Sequence, residues 1–303
     1  MHTNVGFIGL GVMGTPMALN LAHGGIPLMV WSRSSTQYDT LREAGASVAD
    51  SPEALASQCE TILLMLANEG AIDDVLGRGT PKFADLVRGH LIVNMSTTSA
   101  EYSRSLAAEI EAHNGNYVEA PVSGSRKPAE TGQLVVMLAG RPEPVRTVQD
   151  LVRPLYRESV LCGDVPNALT MKLAVNLFLI TMVTGLAEAT HFAQRHGIPL
   201  AQYAHALNAG PMASDVSRVK IGKLATQDFS VQAAITDVLK NSRLVAESAR
   251  HLGIASPLLD VCHALYGETE ALGLGTQDMI AVIRALERRT ADGSSSSDTR
   301  HSP

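Results

Sequence analysis

Gly9-Leu10-Gly11-Val12-Met13-Gly14, just behind the apolar run Val5-Gly6-Phe7-Ile8, is the stretch whose reading decides the fold. A GxGxxG spacing alone is a weak signal; set between a strand and a helix it marks a dinucleotide loop. Residues 5–8 have a strand's composition, and residues 15–23 read as a helix ended by Gly24-Gly25. The first glycine permits the tight turn, the second lets the backbone approach a pyrophosphate, and the third lets helix and strand pack closely. The helix start then offers free N–H groups and the positive end of its dipole to the phosphates. The reading predicts Gly9, Leu10, Gly11, Val12, Met13 and Gly14 as cofactor contacts. A ligand-free glycine-rich turn is the alternative.

Outward from that loop, short apolar runs alternate with helical patterns as far as about Cys162. Residues 28–31, 61–66, 91–94, 116–119 and 134–139 read as strands. Ser51-Pro52-Glu53 reads as an N-cap with proline at the first helical position. Continuous apolar strands require a sheet covered on both faces. The alternation predicts an α/β Rossmann-type N-terminal domain over residues 1–163. After Gly163 only helical patterns follow, beginning with one long segment over residues 167–196. Residues 164–289 are therefore expected to form an all-α domain for substrate and oligomerisation. The Ser-rich residues 290–303 are expected to be a disordered tail.

Composition narrows the function classes. The chain has 303 residues, 45% hydrophobic, with 24 Lys+Arg against 30 Asp+Glu. No basic block interleaved with aromatics appears, which argues against a nucleic-acid partner. The three cysteines, Cys59, Cys162 and Cys262, form no CxxC pair and fit a reducing compartment. No secretion signal is read at the start, so the expected location is cytoplasmic. The apolar stretch 173–187 is short for a bilayer and contains Asn176, Thr181 and Thr184, so a buried helix is expected and no membrane partner. The ten histidines form no HExxH pattern, and His191 and His196 are five apart, so no metal site is expected.

Cofactor choice turns on the end of the second strand. An NAD-preferring loop places Asp or Glu there to bond the ribose hydroxyls. This chain has Trp31-Ser32-Arg33-Ser34, with no acid and with an arginine able to pair with a 2′-phosphate. Ser32, Arg33 and Ser34 are read as cofactor contacts, with NADP as the cofactor and NAD as the alternative. Leu66-Ala67-Asn68 and Ser96-Thr97 stand at two further strand ends, where ligands bind in parallel sheets. Ordinary loop and cap chemistry explains those residue types equally well.

Lys172 and Asn176 are four apart and share one face of the long helix, among Met171, Leu173, Ala174, Val175 and Leu177. Burial there would lower the lysine's pKa and tune it for proton transfer. The alternative is a lysine that reaches back to solvent along its own stem.

Three segments together resemble the β-hydroxyacid dehydrogenase family, the 3-hydroxyisobutyrate dehydrogenase-like and 6-phosphogluconate dehydrogenase-like enzymes, over residues 4–289. They are the run from Gly6 to Leu21, the run Ala120-Pro121-Val122-Ser123-Gly124-Ser125 continuing to Gly132, and Met171-Lys172-Leu173-Ala174-Val175-Asn176. The resemblance implies Lys172 as catalytic lysine and Asn176 as the asparagine that holds substrate beside it. It implies Ser123 and Gly124 as a carboxylate-binding loop, and Thr97 as a cofactor contact. Gly124-Ser125-Arg126-Lys127-Pro128-Ala129-Glu130 departs from the family's usual Gly-Gly and resembles the glyoxylate and succinic semialdehyde reductase branch. The family's Lys-Asp-Leu motif stands here as Lys240-Asn241-Ser242, which keeps a cation for the carboxylate.

The resemblance thus implies an oxidoreductase that interconverts a small carboxylate-bearing carbonyl compound and its hydroxy acid. Rival readings are 3-hydroxyisobutyrate dehydrogenase or tartronate semialdehyde reductase activity, an imine reductase, and a non-catalytic NADP-binding assembly module. Lys172 counts against the imine reductase, whose relatives usually lack it. The apolar helical half, with the resemblance, implies a homodimer or homotetramer.

Overall fold

β1 (Asn4–Ile8) leads through the glycine loop into α1 (Gly14–His23), and the computed structural model describes residues 4–297. The chain continues through β2 (Leu28–Trp31), α2 (Tyr38–Glu43), β3 (Ser47–Val48), α3 (Pro52–Ala56), β4 (Cys59–Leu64), α4 (Glu69–Leu76) and α5 (Lys82–Val87). Then come β5 (Leu91–Asn94), α6 (Ala100–Ala112), β6 (Asn116–Glu119), β7 (Val122–Ser123), α7 (Arg126–Glu130), β8 (Leu134–Gly140), α8 (Pro142–Leu151) and β9 (Tyr156–Gly163). Side chains cap three of these helices. Ser51 accepts from Ala54 N at the start of α3, Asn68 from Ala71 N at α4, and Ser99 from Tyr102 N at α6. Each cap satisfies a donor the helix cannot pair internally.

The strands form one sheet in the order β3-β2-β1-β4-β5-β6-β8-β7, with β9 paired to β8. From β3 to β6 all pairs are parallel. The chain winds one way from β1 to β3, then crosses back to lay β4 on the other side of β1. That reversal creates the crevice at the strands' carboxyl ends where ligands bind in such sheets. At its far end the sheet is mixed. β8 runs antiparallel to both β6 and β7, and β9 is parallel to β8. β9 escapes a hydrophobicity reading because most of its residues are exposed.

Alternate residues of the central strands serve two separate cores. Phe7, Leu63, Val93 and Val118 pack with Met17 and Leu21 of α1. Ile8, Ile62, Leu64, Ile92 and Tyr117 pack with Leu106 and Ile110 of α6. Period-two alternation with both sets apolar is the pattern of a sheet covered on both faces. Each fully buried Leu, Ile or Phe contributes about 1.5–3 kcal/mol of transfer free energy.

The chain divides into two compact units, Met1–Leu173 and Ala174–Pro303. The division falls inside α9 (Asn167–Arg195) and not at residue 163, because the first turns of that helix belong with the sheet. At 29 residues, α9 is long and apolar enough by length and composition to cross a membrane, which the shorter sequence window was not. Its buried Lys172, Asn176, Thr184 and Thr190 are the marks of a core helix.

α10 (Leu200–Ala209), α11 (Asp215–Thr226), α12 (Ile235–His251), α13 (Pro257–Thr269) and α14 (Ile283–Ser297) complete the second unit. No strand is found there among the described residues, as expected. A buried ion pair organises this unit. Lys220 Nζ lies 2.7 and 2.9 Å from the oxygens of Asp278, which also accepts from the backbone of Gln232, Ala233 and Ile280. Burial pushes the Lys220 pKa down despite the adjoining carboxylate. Helix also replaces much of the expected tail. α14 runs to Ser297, held by Thr290 Oγ1 donating to Leu286 O at 2.9 Å, by His191 Nε2 2.8 Å from that hydroxyl, and by an Arg288–Asp292 pair. The remainder of that expectation, residues 298–303, lies outside the described residues.

Candidate functional site

The glycine loop meets the steric demands that its spacing implies. Gly9 has φ +106°, and a Cβ there would stand 2.2 Å from Met65 O. A Cβ on Gly14 would stand 1.8 Å from Gly9 O. A Cβ on Gly11 would meet nothing within 4 Å, which leaves open space above the loop. α1 has no side-chain cap hydrogen bond at Met13 and no acid in its first turn. Thr15 N donates to Gly11 O at 3.0 Å and Pro16 carries no N–H, so the helix dipole and the N–H groups ahead of Thr15 are what an anion can use. α3, α4 and α6 carry side-chain caps instead.

Beside the loop lies a cleft of about 320 Å³. It brings Gly9, Leu10, Gly11, Ser32, Arg33, Ser34, Leu66 and Ala67 together from the ends of three strands. Asp74, which the sequence reading missed, is the one acid among its lining residues, and it comes from α4 and not from the end of β2. A second cavity of about 510 Å³ takes in Val12 and Ser34 and adds Thr36, Thr40 and Arg126, also missed. Ser34 Oγ lies 2.7 Å from Thr36 Oγ1. Tyr38 fixes the strand end, its hydroxyl donating to Ser32 O at 2.7 Å and accepting from Ser32 N at 3.0 Å. These residues fit a dinucleotide.

Met13, Gly14, Asn68, Ser96 and Thr97 line neither cavity. Asn68 is occupied as the α4 cap. Ser96 is 1% exposed, and its hydroxyl accepts from Leu66 N at 2.8 Å and donates to Leu64 O at 3.3 Å. Its hydroxyl therefore ties two strand ends together.

Ser123 ends the short β7, which β8 holds in register by Ser123↔Val135, and Gly124 follows it directly. Gly124 has φ +133°, and a Cβ there would stand 2.7 Å from Leu134 Cδ2, so no other residue fits unstrained. Lys172 and Asn176 stand one turn apart on α9 and are 7% and 3% exposed. Nδ2 of Asn176 is buried with no hydrogen-bond partner among the described residues, a state costly enough to point to a ligand. In the helical unit, Lys240 on α12 is partly buried. Its neighbour Asn241 has a buried Oδ1 without a partner among the described residues. Ser242, in place of the family's leucine, is satisfied by Leu239 O at 2.8 Å and His263 Nδ1 at 2.7 Å.

Glu119 was not read from the sequence as functional. It ends β6 fully buried, with Oε1 2.5 Å from Ser103 Oγ, which lies 2.8 Å from Tyr117 Oη. Burial holds its carboxyl above the usual range, against the bonds it accepts from Ser103, Leu169 and Ala168. No group of three or more His, Cys, Asp or Glu suited to a metal occurs among the described residues.

Residues 4–163 match the family of the NAD binding domain of 6-phosphogluconate dehydrogenase. Residues 167–286 match the NAD-binding family of NADP-dependent 3-hydroxyisobutyrate dehydrogenase. Glyoxylate/succinic semialdehyde reductase 1 of Arabidopsis thaliana is 30% identical over 283 residues, covering 93% of this chain and 98% of that protein. Mitochondrial 3-hydroxyisobutyrate dehydrogenase of Mus musculus is 29% identical, covering 94% of this chain and 87% of its own. A crystal structure of 3-hydroxyisobutyrate dehydrogenase from Salmonella typhimurium superposes with a TM-score of 0.84 at 26% identity, covering 93% and 99% of the two chains.

Proposed function

This chain belongs to the β-hydroxyacid dehydrogenase family of NAD(P)-dependent enzymes acting on CH–OH groups, and from that premise we propose that it reduces a small carboxylate-bearing aldehyde or keto acid with NADPH. The observation that carries the reading is the uncapped start of α1 under the open face of Gly11, together with the buried Lys172 and Asn176 one turn apart. NADP is favoured over NAD because Ser32, Arg33 and Ser34 line the cleft and the end of β2 bears no acid.

A nicotinamide dinucleotide, when bound, supplies or takes up the hydride. The residues of the protein handle position, charge and the proton. Lys172 donates a proton to the developing alkoxide oxygen in reduction and accepts it in oxidation. Asn176 Nδ2 hydrogen-bonds the same oxygen. Ser123 Oγ and the Gly124 N–H bind the substrate carboxylate, and Lys240 supplies a carboxylate-binding cation. The substrate class is that of glyoxylate and succinic semialdehyde, by likeness to the Arabidopsis reductase.

The test is NADPH and NADH oxidation over glyoxylate, succinic semialdehyde, tartronate semialdehyde and methylmalonate semialdehyde. Turnover of either of the first two, faster with NADPH, is expected. Turnover of only the last two moves the substrate to the rival branches. NADPH binding without turnover of any of the four overturns the reading in favour of a non-catalytic module.

A homodimer or homotetramer is part of the same proposal. Met171, Phe178, Gly185 and Phe192 recur every seven residues on α9, and the three side chains are 44%, 69% and 62% exposed. Seven residues are about two helical turns, so these positions form one apolar stripe suited to a helix of a second copy. A monomeric mass by light scattering at micromolar concentration would contradict it.

A further inference from the structure

α9 begins with Asn167-Ala168-Leu169-Thr170 and has no acid in its first turn. Its cap comes from far away in sequence. Oε2 of Glu119 accepts from Ala168 N at 3.0 Å and from Leu169 N at 3.1 Å. The other oxygen is held by Ser103 on α6, 2.5 Å away. The chain of bonds continues through Tyr117 to Asn94 Nδ2 at 3.1 Å, and Asn94 Oδ1 accepts from Ser96 N at 3.0 Å. One fully buried carboxylate thus ties the first turn of α9 to strand ends at the crevice edge. Lys172 follows Ala168 by one turn. Ser123 and Gly124 follow Glu119 by four and five residues.

A buried carboxylate is costly unless its oxygens are matched by donors. Here three donors match it, two of them backbone groups that no local side chain caps. A carboxylate at a helix N-terminus is also favoured by the helix dipole. Such an arrangement sets the height and rotation of the first turn of α9 relative to the segment that begins at Ala120. We infer that Glu119 is the positioning residue for Lys172, holding the lysine's helix in fixed register with the Ser123–Gly124 loop. The inference rests on the catalytic reading of Lys172.

Length and charge make different demands here, and two variants separate them. Glu119→Gln keeps the reach: Oε1 still accepts the two backbone N–H groups, and Nε2 donates to Ser103. Glu119→Asp keeps the charge but is one methylene too short to meet both. A misplacement of about 1 Å in a catalytic group can cost on the order of a hundredfold in rate. The expected result is that Glu119→Asp lowers kcat by ~10–100-fold, while Glu119→Gln stays within about threefold of the parent. NADPH Kd, read by fluorescence titration, changes by less than about twofold in both, since the glycine loop is untouched. Added to Lys172→Ala, Glu119→Asp lowers kcat no further, because residues that act as a unit are non-additive.

If Glu119→Asp keeps near-parental kcat while Lys172→Ala is inactive, the inference fails and the catalytic reading stands. If Lys172→Ala itself keeps its kcat, the catalytic reading fails and takes the inference with it. Equal damage by Asp and Gln, or joint loss of kcat and NADPH affinity, overturns the positioning role. Should Glu119→Asp not fold, Ser103→Ala frees one carboxylate oxygen without shortening the acid. A fall in kcat of about threefold or more at unchanged NADPH Kd supports the inference, and an unchanged kcat overturns it.

Discussion

α1 leaves its first N–H groups without a side-chain cap, whereas α9 presents two of its own to the buried carboxylate of Glu119. Neither helix carries an acid in its first turn. The open start lies under Gly11, where nothing stands within 4 Å of a built Cβ. The closed start lies one turn before Lys172. A helix end kept for a ligand must leave its dipole and the N–H groups ahead of its first turn uncovered by side chains, and a helix that must hold a side chain in place is better served when its start is capped. The same unpaired backbone groups thus serve binding in one place and rigidity in the other.

The largest effect should come from the closed helix. Lys172→Ala is expected to lower kcat by ~10²–10⁴-fold, the usual worth of a positioned acid or base, with NADPH affinity retained. Steady-state kinetics with a parallel cofactor titration measures both, and loss of affinity alongside kcat would erase the distinction between the two helix starts.

Next comes the open helix. Gly11→Val fills free space and should fold normally, yet weaken NADPH binding by about 10–100-fold through overpacking against the pyrophosphate. Gly14→Ala, whose Cβ would stand 1.8 Å from Gly9 O, should instead lower the melting temperature. Thermal melts beside binding titrations decide this, and a Gly11→Val protein that binds normally breaks the assignment of the open end to phosphates.

Arg33→Ala should narrow the preference for NADPH over NADH by about tenfold, the worth of one charge-assisted hydrogen bond. An unmodified protein that binds the two cofactors equally would remove the basis for this. The smallest effect should be at caps with no ligand to serve. Ser51→Ala and Ser99→Ala should each cost about 1 kcal/mol in denaturant unfolding and leave kcat unchanged.

Much of this was legible along the chain, because local signals suffice where the physics is local. The strand–GxGxxG–helix order, the Ser51 cap with Pro52, and the apolar runs of β1, β4 and β5 depend on neighbours in sequence. Ser96 and Glu119 were not legible in that way. Ser96 looked like a loop hydroxyl at a strand end, and only its burial beneath Leu66 N gave it a structural task. Glu119 looked like the last residue of a strand, since both N–H groups it caps lie about fifty residues on. The partner of Lys220 is likewise 58 residues away at Asp278. β9 shows no apolar alternation because most of its residues are exposed.

The sequence by itself determined that the first half would wind strands and helices around a dinucleotide loop and that the second half would be helical. Period-two and helical spacing of apolar residues, and the spacing of glycines in the loop, are properties of short segments. Tertiary structure alone decided the antiparallel pairing of β8, the division of the chain within α9, and which buried polar groups meet. Hydrogen-bond satisfaction in a core is a condition on groups brought together in space, and a carboxylate such as Glu119 carries no mark of its partner until the helix start arrives beside it.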